Sequence, residues 1–188
     1  MLHWINRAER FRISGVEVLC CRISLPQWEE YGGLSDFYRE LGDRAFGFCP
    51  DILRPDAEAV YERSEDERKR FRFPAFSYEL TGEVCWQEAD LLSVRIRAEL
   101  CRRGSPEPLS RGWDAHTWQL GEGEPTLLPP EQVVQAVAGK ALPKRKRKGA
   151  RGVLIDGGRL WLCRSDGWEE LFCAEDAPAE GETDPNSL

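Results

Sequence analysis

Leu91-Leu92-Ser93-Val94-Arg95-Ile96-Arg97-Ala98-Glu99-Leu100-Cys101 alternates apolar and charged side chains without a break from Val94 to Leu100. Successive side chains of a strand point to opposite faces. Val94, Ile96, Ala98 and Leu100 therefore share one face and Arg95, Arg97 and Glu99 the other, as in an antiparallel sheet covered on one side only. This stretch sets the expected fold class: α+β, an antiparallel sheet built from a meander and a late hairpin, with helices packed on one face.

The neighbouring segments extend the pattern. Phe76 to Trp86 alternates again, with Gly82 as a candidate bulge, and only Gln87-Glu88-Ala89-Asp90 separates it from Leu91, which predicts a hairpin. After the Ser- and Pro-rich loop from Ser105 to Ser110, Trp113 to Leu120 supplies the third strand of the meander. Gly15 to Leu25 is β-rich and Pro26 closes it. Leu34, Phe37, Tyr38, Leu41, Ala45 and Phe48 recur at three- and four-residue intervals, the spacing of one helical face. Pro50 and Pro55 interrupt that pattern, and Asp56 to Arg70 reads as a second, more exposed helix. Pro129-Pro130-Glu131-Gln132 opens a short helix that Gly139 stops. Gly152 to Ile155 and Arg159 to Cys163 flank Asp156-Gly157-Gly158, residues that tolerate the positive φ of a tight hairpin turn.

A chain of 188 residues with 41% hydrophobic content can bury one sizeable core. The expected organisation is an N-terminal extension over 1–14, a single α+β domain over 15–173 and a disordered acidic tail over 174–188, which holds five acids and two prolines.

The formal charge of −7 weighs against a general nucleic-acid binder. The exception is Lys144-Arg145-Lys146-Arg147-Lys148, read either as a solvated loop or as a docking element for an anionic partner. No aromatic residue is interleaved there for bases to stack on. The seven cysteines include no Cys-x-x-Cys pair and no His at ligand spacing, so neither a metal nor a cofactor is expected. Their odd number favours a reduced compartment in which they act as small hydrophobes. The first ten residues lack the apolar stretch of a secretion signal, and no segment reaches transmembrane length, so a cytoplasmic location is expected.

Two candidate sites emerge. Trp113, Trp118 and Trp161, from a set of seven tryptophans, could line a groove or sheet face that holds a protein or glycan. His116, with Asp114 two residues away on the same strand face, resembles a base oriented by a carboxylate. A spacing of two nevertheless sets the Cβ atoms roughly 7 Å apart, and no nucleophile is identifiable. A small hydrolase using His116 with Cys85 or a neighbouring acid is the alternative function.

Taken in order, Leu34-x-x-Phe37-Tyr38, Leu91-Leu92-Ser93-Val94, Thr126-Leu127-Leu128 and Val153-Leu154-Ile155-Asp156-Gly157-Gly158-Arg159-Leu160-Trp161-Leu162 resemble a bacterial domain of unknown function. That domain lies at the C-terminus of RsiV-type anti-sigma factors and beside the catalytic domain of PdaC-type peptidoglycan deacetylases. Leu154, Asp156 and Gly158 match its late hairpin, and the resemblance spans roughly Val16 to Cys163. It implies helices on one face of an antiparallel sheet and a noncatalytic binding or sensing role, often outside the cytoplasm. RsiV-type domains bind lysozyme. No membrane anchor or sigma-binding segment is recognisable here to carry that ligand over.

Overall fold

A computed structural model describes residues 1–64, 73–88 and 90–173. The strands are β1 (Leu2–Ile13), β2 (Val16–Trp28), β3 (Phe76–Glu88), β4 (Leu91–Arg102), β5 (Ser110–Gln119), β6 (Thr126–Leu127), β7 (Gly152–Asp156), β8 (Arg159–Arg164) and β9 (Gly167–Cys173). The helices are α1 (Gly32–Phe48), α2 (Arg54–Arg63), α3 (Pro130–Ala138) and α4 (Lys144–Arg147), with a π-helical turn (Cys49–Leu53) joining α1 to α2. One sheet has the order β1-β2-β3-β4-β5-β6 and the other β7-β8-β9. The tail over 174–188 and the end of the second expected helix, 65–70, lie outside the described residues.

The alternation in β4 is realised as read. Leu92, Val94 and Ile96 are buried with Leu19, Ile23 and Leu25 of β2, Leu80 of β3 and Trp118 of β5, against Leu34 and Tyr38 of α1 and Ala57 and Tyr61 of α2. The antiparallel meander is present from β3 to β6. The sheet as a whole is mixed, because β2 pairs with β3 in parallel from Leu19↔Phe76 to Ser24↔Thr81. Between them the chain crosses the sheet with α1 and α2, and strands joined by such a crossover run the same way.

The segment read as an N-terminal extension contains a strand. Residues 2–13 pair antiparallel with β2 from Leu2↔Trp28 to Ile13↔Val16. They turn on Ser14 and Gly15, whose φ angles of 49° and 84° suit a two-residue hairpin. Only Phe11 of β1 is buried, since an edge strand gives little to the core, and this is why its pattern is weak. Pro26 does not close β2. It sits opposite Trp4, past the last β2–β3 pair, where β3 asks no N–H of it. Gly82 is a close-packing position rather than a bulge, because a Cβ there would stand 2.8 Å from Pro26 Cδ. The register shift comes between Val84 and Trp86. Pro50 and Pro55 are the second residues of the π-turn and of α2, and the helical path continues through both.

The other face of the large sheet is not left wholly to water. Asp156 and Arg159 close a two-residue hairpin over Gly157 and Gly158, at φ 56° and 74°. Residues flanking such a loop exchange hydrogen bonds, so Asp156, Leu154 and Gly152 serve β8 while Val153 and Ile155 turn their backbone groups to the outer edge. That edge stands on β4 and β5. Ile155 N–H donates to Ser93 Oγ (2.9 Å), and Thr117 Oγ1 donates to the Val153 carbonyl (2.6 Å). The two hydroxyl oxygens lie 2.9 Å apart. Thr117 has spent its one proton on Val153, so Ser93 donates the bond between them. Gly152 completes the approach: a Cβ there would lie 2.0 Å from Ala115 O.

Helices therefore cover more than one surface. α1 and α2 lie on the large sheet, while α3 packs Val133 and Val134 against Val153, Ile155, Leu160 and Leu162 of the small one. β9, absent from the sequence reading, follows a two-residue turn in which Arg164 faces Gly167.

Ser93→Ala or Thr117→Val strands one backbone group of β7 in a dry environment. Each should lower unfolding free energy by about 1–3 kcal/mol, measured by urea denaturation. Gly152→Ala should cost more than either, and losses within error at all three positions would show that this edge is not sealed.

Candidate binding face

The part of the large sheet that β7 leaves open carries two parallel rows of side chains. Across the strands, Arg97 faces Thr81 of β3 and Trp113 of β5, and Arg95 faces Glu83 and Ala115. Thr81, Glu83, Arg95, Arg97 and Trp113 line a cleft of about 420 Å³. Arg95 Nη2 donates to Glu83 Oε2 at 2.6 Å, and its Nη1 lies 3.7 Å from Asp156. Among the described residues, Arg97 makes only a longer ion pair, its Nε being 3.8 Å from Glu99. Glu99 is itself held by Arg111. The guanidinium of Arg97 thus keeps donors to spare at the cleft. A second cleft, of about 290 Å³, shares Thr81 and continues over Asn6, Ala8, Arg22, Ser24 and Glu79.

The three tryptophans singled out from the sequence do not form one groove. Trp113 is half-buried, edge-on to Trp168 with ring centroids 5.7 Å apart, and the Arg111 guanidinium sits 5.9 Å over it. Trp161, also half-buried, packs with Trp113 against Ala115, Leu154 and Cys163. Trp118 is a core residue whose Nε1–H donates to Tyr38 Oη at 3.1 Å. Positions 113 and 118 differ by an odd number, so on one strand they face opposite ways. That parity was readable in the sequence.

The cationic run is partly tied into the fold. Lys144 to Arg147 form α4, in which Lys146 Nζ meets Glu169 at 2.9 Å and Arg147 Nε donates to Leu142 O at 3.1 Å. Arg164 donates to the carbonyls of Lys146 and Lys148 and pairs with Glu169. The hydrogen bond from Lys146, with Arg164 beside it, holds the Glu169 carboxyl below its ordinary range. Lys144, Arg145 and Lys148 point to solvent, and none of the five cations lines the sheet-face cleft.

His116 and Asp114 face the helices. The imidazole is buried edge-on to Phe37 (5.1 Å) and beside Tyr38 (5.8 Å). Its Nε2 lies 3.6 Å from Asp114 Oδ2, longer than a hydrogen bond, and its buried Nδ1 has no partner among the described residues. Asp114 Oδ1 instead accepts from the Ala115 N–H at 2.9 Å. Both residues line a cleft of about 340 Å³ walled by Leu127, Leu128, Pro129, Pro130 and Arg151. Cys85 packs on the opposite side of the sheet, with Ala115 and Leu154. Burial pushes its thiol up to about 11, so little thiolate exists at neutral pH. Among the described residues no group of three or more His, Cys, Asp or Glu could hold a metal ion.

No family model matches the chain, and no curated protein matches it. Solved structures similar to it include two DUF3298 proteins. A DUF3298 family protein from Pseudomonas aeruginosa PAO1 aligns over 91% of this chain and 88% of its own, with 13% identity and a TM-score of 0.48. A DUF3298 family member from Bacteroides fragilis NCTC 9343 aligns over 91% and 88%, with 10% identity and a TM-score of 0.46. Among the described residues, no helix is long and apolar enough to cross a membrane.

At pH 8, Cys85 should react with iodoacetamide on the order of a hundredfold more slowly than an unperturbed thiol, as read by mass spectrometry of the labelled peptide. Labelling at the rate of a free thiol would instead mark Cys85 as an activated nucleophile.

Proposed function

We propose that this chain is a noncatalytic binding domain of RsiV-like type, and that its ligand is a carboxylate-bearing glycan held on the open face of the large sheet. One observation carries the reading: Arg97 stands between Thr81 and Trp113, and its one carboxylate contact among the described residues, Glu99 at 3.8 Å from Nε, leaves its Nη groups unengaged. A half-buried indole offers a flat apolar platform, and a guanidinium with free donors recognises carboxylates in a fixed geometry. Glu83 and Thr81 beside them supply acceptors for hydroxyl groups. A few polar groups converging beside an aromatic surface is the usual composition of a small-ligand site.

The hydrolase alternative has less support. Catalysis by His116 needs a nucleophile or an activated water within hydrogen-bond reach, whereas its ring is wedged among aromatic rings and Cys85 lies across the sheet. The cationic run is the weaker docking element, since Lys146 and Arg147 are engaged inside the fold.

Titration calorimetry with peptidoglycan fragments that carry free carboxylates should detect binding, and neutral chito-oligosaccharides should bind at least tenfold more weakly. Arg97→Ala and Trp113→Ala should each weaken affinity tenfold or more, by about 1.4 kcal/mol, while Lys144→Ala and Arg145→Ala leave it unchanged. Equal affinity for charged and neutral glycans, or no effect of Arg97→Ala, would refute the assignment.

A further inference from the structure

Cys21 lies on the helix-facing side of β2, in the same buried cluster as Leu19 and Ile23, and Cys49 opens the π-helical turn. Both residues are completely enclosed, at 0% exposure. Their sulfurs are 2.7 Å apart, closer than two unbonded sulfurs pack. The remaining polar neighbour of Cys49 Sγ is the Ala45 carbonyl at 3.6 Å, one helical turn back. Among the described residues, no other sulfur hydrogen-bonds a sulfur. The pair lies where the helical crossover meets the sheet.

We propose that Cys21 and Cys49 form a disulfide when the chain meets a thiol–disulfide oxidant, and that this bond fastens the helical crossover to β2. The thiolate of one cysteine of the pair attacks one sulfur of the oxidant R–S–S–R and expels R–S⁻, which takes up a proton. The other cysteine then loses its proton, attacks the protein sulfur of the mixed disulfide and expels the second R–S⁻. Two thiol protons and two electrons pass to the oxidant, which leaves as two R–SH. The mixed disulfide needs room that the closed core lacks, so exchange belongs to the stage of folding before the π-turn docks, or to its opening. The inference is independent of the glycan reading and, for this pair, departs from the expectation that the cysteines act as small hydrophobes.

The test uses the full chain equilibrated with oxidised or reduced glutathione, alkylated in denaturant, digested and mapped by mass spectrometry. The oxidised sample should yield one linked peptide pair containing Cys21 and Cys49, two hydrogens lighter than the sum of the free peptides. Because Cys20 shares a peptide with Cys21, the link should persist in Cys20→Ser and vanish in Cys21→Ser and in Cys49→Ala. Oxidised wild type should also show a folding equilibrium constant on the order of a hundredfold above that of the reduced form, a readout that does not require any variant to fold. Full alkylation of Cys21 and Cys49 after oxidation, or a link that disappears only in Cys20→Ser, would overturn the proposal.

Discussion

Three buried hydrogen bonds, from Ile155 N–H to Ser93, from Ser93 to Thr117 and from Thr117 to the Val153 carbonyl, let a small sheet stand edge-on upon a larger one. A strand edge normally presents unpaired backbone groups to solvent. Here two hydroxyls from paired positions of β4 and β5 supply one acceptor and one donor in the required order, and every proton is committed. Gly152 permits the contact by carrying no side chain where Ala115 O must fit. If this seam opened, the small sheet with α3 would lose its footing on the large one.

The seam also shapes the surface. By covering the Ser93 end of the polar face, β7 leaves the Arg95 and Arg97 end bounded by Trp113 on one side and Asp156 on the other. A charged sheet face thereby becomes a walled cleft. The aromatic cluster beneath it, with Trp161 and Trp168 around Leu154 and Cys163, holds Trp113 by packing rather than by hydrogen bonds to its ring.

What could be read from the sequence was local. The β4 alternation, the helical face from Leu34 to Ala45 and the Asp156-Gly157-Gly158 turn each express a period or a dihedral demand within a few residues and are present, whereas Phe48, read as the end of that helical face, is exposed. What could not be read depended on distant partners. Nothing near Val16 or Phe76 reports that these strands run in parallel, since that follows from where the crossover lands. Ser93 lies on the polar side of its strand and looks like a solvent-facing residue until β7 arrives. β9 gives a weak signal, because Asp166-Gly167 marks its turn but the strand is short and the adjacent Glu169 and Glu170, beside a register shift, break its alternation. At the candidate site, strand parity alone separates Trp113 from Trp118, and Arg97 earns its place only through neighbours on two other strands.

β1 brings a different obligation. As the outermost strand of the large sheet it runs for 12 residues with one side of its backbone unpaired among the described residues. Such a margin invites a second polypeptide to add itself, the first step towards aggregation. Arg7, Glu9, Arg10 and Arg12 crowd the strand, and between them only Ala8 and Phe11 are apolar. A charge-dense border of this kind resists templating by like copies, so the same composition that hid β1 from a pattern search protects the molecule from its own kind.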